Sequence, residues 1–98
     1  MSNIDELSKI LESPLFERVK ATGLMGETFT LKMRAIHDMM VSEAKRVDDG
    51  CEDYQNTFKC FARLCDKFSA ELFAAGVDEE IAEKYNRIAS FARKIASA

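Results

Sequence analysis

Residues 51–76 read CEDYQNTFKCFARLCDKFSAELFAAG, and the spacing inside this stretch decides the fold class. Tyr54, Phe58, Phe61, Cys65, Phe68 and Leu72 follow one another at steps of four, three, four, three and four. On a 3.6-residue turn those positions form one stripe of an α-helix. Asp49 followed three residues later by Glu52 predicts a capping box ahead of that helix, each side chain satisfying a backbone donor at the other's end of the turn. Gly76 suits the left-handed position that closes a helix.

Toward the C-terminus, Val77, Ile81, Tyr85, Ile88, Ala92 and Ile95 make a second stripe, with Asp78 as its expected cap. Glu79, Glu80 and Glu83 precede Arg87, Arg93 and Lys94, an order that favours the helix macrodipole by a few tenths of a kcal/mol per charge, about 0.3 at an exposed position. Toward the N-terminus, Phe29, Met33, Ile36, Met40, Ala44 and Val47 form a third stripe, and its helix is expected to end near Arg46. Gly23 and Gly26 predict a kink or break ahead of it, because each glycine costs about 1 kcal/mol inside a helix relative to Ala. Leu15, Thr22 and Met25 nevertheless share the phase of Phe29 and Met33, so a single kinked helix from Pro14 to Val47, about 51 Å long, is the alternative. Ser13 before Pro14 predicts a helix start with proline in the first turn. Asn3 with Glu6 predicts a capping box for a short N-terminal helix carrying Ile4, Leu7 and Leu11.

The expected architecture is therefore all-α: an antiparallel bundle of three long helices plus a short N-terminal helix, forming a single domain over residues 1–98. Short connections at Asp48-Asp49-Gly50 and at Gly76-Val77 make neighbouring helices antiparallel. With four Gly and one Pro in 98 residues, a turn-rich β fold is excluded, and 47% hydrophobic with 32% charged residues is too apolar for a disordered chain.

Fourteen basic residues stand against seventeen acidic ones, a net charge of -3. Without a basic stripe or aromatics interleaved with arginine, nucleic acid is not the expected partner. The acidic start of the chain and the absence of a long apolar run predict no secretory signal and no membrane span, hence a cytoplasmic address.

Cys60 and Cys65, five apart on one helix, diverge by about 140° and cannot bridge; Cys51 and Cys65 are separated by about 21 Å of helix. Together with His37 the three cysteines lack the close ligand pairs of zinc sites, so no metal is expected. Cys65 is expected in the core, as a small apolar residue. The acidic residues Asp48, Asp49, Glu52 and Asp53 break the calcium-loop spacing at Cys51 and Tyr54. Gly23-Leu24-Met25-Gly26-Glu27 has no Lys-Ser or Lys-Thr after it and is not a phosphate loop. No cofactor is expected.

His37 is the only histidine. In Ile36-His37-Asp38-Met39, an acidic residue follows a histidine on a long helix, which resembles the phospho-accepting helix of histidine phosphotransfer and kinase dimerisation domains. That resemblance implies a phospho-acceptor at His37 assisted by Asp38. It covers these two positions alone, with no Lys-Gly following and with Met40 and Val41 where such helices carry polar or small residues.

What remains after the stripes are filled is a set of apolar residues outside them: Leu31, Met39, Val41, Cys60, Leu64, Phe73 and Phe91. Such residues widen the core or make an interface. The expected function is that of a small non-enzymatic interaction module, an adaptor, chaperone-like subunit or inhibitor. It would bind a partner protein or a second copy of itself, as a homodimer, through Met39, Cys60, Leu64, Phe73 and Phe91. Phosphotransfer through His37 and Asp38 is one alternative. Capture of a nucleotide or other small ligand at a dimer seam is the other.

Overall fold

The computed structural model describes residues 2–98. Five helices follow one another: α1 (Asn3–Leu11), α2 (Leu15–Thr22), α3 (Glu27–Asp48), α4 (Gln55–Ala74) and α5 (Glu79–Ala96). No strand occurs among the described residues. The bundle of three long helices and a short N-terminal one is present, and the segment after Pro14 adds a second short helix.

The helix boundaries correct several expectations. Ser2, not Asn3, caps α1, its Oγ accepting from the Asp5 N–H at 3.2 Å. Pro14 is the N-cap of α2, with ψ at 96°, one position earlier than a first-turn proline. Gly23 ends α2 in the left-handed region at φ 69° and Gly26 caps α3, so the glycines mark a break between two helices and a continuous helix from Pro14 to Val47 is not formed. The capping box expected of Asp49 and Glu52 is absent, because Asp49-Gly50-Cys51 is used to terminate α3. Gly50 sits at φ 97°, its N–H donates to the Val47 carbonyl at 3.1 Å, and the Cys51 N–H donates to the Arg46 carbonyl at 3.0 Å. That pair of bonds is a Schellman closure, and α4 starts only after Tyr54, with no side-chain cap.

At the other end of α4 the same closure recurs. Gly76, at φ 81°, donates to the Phe73 carbonyl at 3.1 Å, and Val77 donates to the Leu72 carbonyl at 3.0 Å. Asp78 then caps α5 as expected, its Oδ1 accepting from the Glu80 N–H at 3.1 Å.

Contacts along the helices give an up-and-down arrangement in four rods. The first rod is α1 and α2 in succession, bent at residues 12–14 and antiparallel to α3: Ser8 and Leu11 face Val41, Ala44 and Lys45, while Phe16 meets His37 farther along. The rod also closes over α5. Leu7, Leu11, Leu15 and Val19 bury its apolar side against Met33, Met40, Phe58, Leu72 and Ile88 in one core.

The seams between rods differ in depth. Ala62 and Ser69 on α4 and Ala82, Ala89, Ala92 and Ala96 on α5 are all buried, and these short side chains let the two backbones run close together along their length. Between α3 and α4 close backbone approaches are few. There the space is filled by large groups: the Phe29 and Phe68 rings meet edge to face at 5.5 Å, and the Cys65 thiol reaches the Met40 sulfur at 3.9 Å.

Candidate functional site: the groove between α3 and α4

The wide α3–α4 seam leaves a groove of about 350 Å³ on its outer side. Asp38, Met39, Ser42, Glu43 and Arg46 line it from α3, and Thr57 and Phe61 from α4. Phe61 is buried and forms apolar floor, whereas Met39 is 54% exposed at the rim.

Glu43 is the unusual member. It lies seven residues after Ile36 and three after Met40, within the phase of the α3 core stripe, and its side chain is only 10% exposed. Its Oε2 accepts from Arg46 Nη1 at 2.9 Å, while its Oε1 is buried with no hydrogen-bond partner. A desolvated carboxylate oxygen with no donor is costly to keep. Arg46 cannot serve both oxygens: its Nη2 turns to Cys51 Sγ at 3.4 Å. Its neighbours, Cys51 first and Glu43 second, raise the Arg46 pKa further, so this guanidinium is a permanent cation.

Three of the five residues expected at an interface belong to this side of the molecule. Met39 lies on the groove. Leu64 follows Thr57 and Phe61 and precedes Phe68 at steps of four, three and four, so it shares the face that Phe61 and Phe68 turn toward α3. It is half-buried against the core, and Cys60, one turn earlier, is exposed. Phe73 and Phe91 are elsewhere. Phe73, nine residues after Leu64, points to the opposite side of α4 and is half exposed. Phe91 is half-buried on α5 beneath Lys94, whose Nζ stands 5.3 Å from the ring centre. Leu31 is exposed on α3, and Val41, also exposed, lies on the seam with α1. The leftover apolar residues therefore do not form one patch.

His37 sits at a different seam. Its ring packs edge to face on Phe16 of α2 at 5.4 Å and is half-buried. Burial pushes its pKa below the ordinary 6.5, with Asp38 opposing the shift, so the imidazole is neutral at pH 7. Asp38 itself is exposed and lines the groove.

Of the cysteines, Cys51 is half-buried, Cys60 exposed and Cys65 buried as expected, its thiol pushed up to about 12 by desolvation and then by Asp66. No cluster of three or more metal-ligating side chains occurs among the described residues. Nor, among them, is any helix long and apolar enough to cross a membrane.

Reading by residue type missed Glu43. Its phase was the available signal: an acid spaced four before Val47 and seven after Ile36 occupies a core position rather than a solvated face.

Comparison with known proteins adds no relative. No protein-family model, curated protein or solved structure matches this chain.

Proposed function

We propose that the chain is a non-enzymatic protein-interaction module and that the α3–α4 groove is its working surface. The observation that carries this reading is the juxtaposition of an exposed thioether, Met39, an apolar floor, Phe61, and a buried carboxylate with one unsatisfied oxygen, Glu43. Interaction sites combine an apolar centre with a few placed polar groups in this way. Leu64 and Cys60 extend the surface along α4. An adaptor, a chaperone-like subunit or an inhibitor would each work through such a face, and a homodimer would form if the occupant is a second copy.

A photocrosslinking residue at position 39, with position 24 as an exposed control, tests the proposal in the native host, and light scattering on the purified chain tests self-association. One dominant adduct from position 39 and none from position 24 is the expected result. Equal, diffuse labelling from both positions would remove the groove from consideration.

A further inference from the structure

Resting on that reading, we propose that the α3–α4 groove receives an arginine side chain presented by a partner protein, with Glu43 Oε1 as the acceptor for its guanidinium. The requirement comes from Glu43 itself. Its side chain is nine-tenths buried and lines the groove, and its Oε1, closed to solvent in the free chain, lacks any donor, so a guanidinium would reach it as the side chain turns into the groove. An anionic oxygen in that position is satisfied best by a charged N–H donor, whose bond to a carboxylate is shorter and stronger than a neutral one.

The surroundings select among donors. Asp38 and Glu43 put two carboxylates on the groove against the single guanidinium of Arg46, so the local balance is negative before anything binds. Arg46 is itself divided between Glu43 and Cys51 and more than half exposed, which leaves the second carboxylate oxygen to a partner. Met39 and Phe61 supply an apolar wall and floor for the methylene stem behind the charge, and a cation beside an aromatic ring gains further attraction. A bare metal ion is disfavoured, because no cluster of three ligating side chains is present among the described residues. A planar guanidinium meets a carboxylate in a fixed geometry and sheds its hydration more readily than an ammonium, which favours arginine over lysine.

Glu43 does not owe its place to folding. An ion pair three residues apart on a helix adds little, and it does not offset the burial of a carboxylate left half paired. The free chain therefore carries a cost at this position that an occupied groove removes.

Titrating the ¹⁵N-labelled 98-residue chain with butylguanidinium, the end of an arginine side chain, tests this by amide chemical shifts. Butylurea, similar in shape and uncharged, is the control. Saturable shifts in residues 38–46 and 57–61 are expected, with about tenfold weaker or no response to butylurea and in Glu43→Gln. The thermal midpoint of free Glu43→Gln is expected to equal or exceed that of the natural chain. Glu43→Asp, which keeps the charge but withdraws it, should also weaken the response and serves if the Gln variant fails to fold. No saturable shift, shifts outside the groove, an equal response to butylurea, or a response kept by Glu43→Gln would each overturn the arginine site. Failure here with a single adduct from position 39 leaves the interaction surface standing; a saturable, Glu43-dependent response without that adduct does the reverse.

Discussion

At the scale of single residues, the buried sulfur pair and the lone imidazole give the sharpest tests. Cys65 is fully buried and its thiol donates to the weakly accepting Met40 sulfur at 3.9 Å, with Tyr85 close enough to interact with it electrostatically. Cys65→Ser exchanges a weakly polar thiol for a hydroxyl in this desolvated position and should destabilise the chain by about 1–3 kcal/mol, read as a lower urea midpoint. In the native chain Cys60 should react with a thiol reagent quickly, and Cys65 only on unfolding. His37 tests a sign. Burial against Phe16 holds its folded-state pKa below 6.5, more strongly than Asp38 raises it. Between those two values the unfolded chain therefore holds more protons than the folded one. The contribution is whole above pH 6.5 and is lost as pH falls through the folded-state value. Denaturation midpoints measured across that interval should decline toward acid, and His37→Gln should flatten the decline; an unchanged slope would show that other groups carry it.

At the scale of elements, two closures of the same kind bound the α3–α4 connection and the α4–α5 hairpin. A Cβ at Gly50 or Gly76 would meet nothing within 4 Å, so the cost of alanine there is conformational and should be about 1–2 kcal/mol in each case. Thermal unfolding of Gly50→Ala and Gly76→Ala measures it directly. At the α4–α5 seam the limit is space instead: Ala89 is fully buried, and Ala89→Leu should cost about 1–3 kcal/mol by overpacking, seen in the same experiment. These elements also show why some boundaries were legible in sequence and others were not. The α4 and α5 stripes, the Asp78 cap and the Gly76 closure follow from local spacing, because each is decided within one turn. Asp49 and Glu52 misled because two outcomes compete for the same residues: a box starting α4 or a closure ending α3. Gly50, at φ 97°, adopts the second. Ser2 likewise displaced Asn3, since either side chain suits a cap. In the candidate site Met39 was legible as an apolar residue off its stripe. Glu43 shares the core phase of α3, but phase does not single out one acid among seventeen, and its unpaired oxygen is a property of the fold.

At the scale of the whole molecule, a body of 39 × 22 × 18 Å is divided between a hairpin with closely spaced backbones and two flanking rods that meet their neighbours through longer side chains. Charge pairs do not compensate for that difference. Arg93 and Asp66, 2.6 Å apart across the hairpin, are both about half exposed, and pairs of that kind add little. Whatever holds the hairpin more firmly than the rest is packing. Hydrogen–deuterium exchange should therefore rank the amides of α4 and α5 as the slowest and those of α1 and α2 as the fastest, with α3 between them. Uniform protection across all five helices would contradict this order.

The break at residues 12–14 carries this one step further. Because α1 and α2 are separate short helices rather than one long one, neither forms a stable helix in isolation, and each is ordered by the surface it covers. The first rod therefore owes its helices to the core it covers on α3 and α5. Its release would uncover Leu7, Leu15 and Val19 and the part of the core on which they pack.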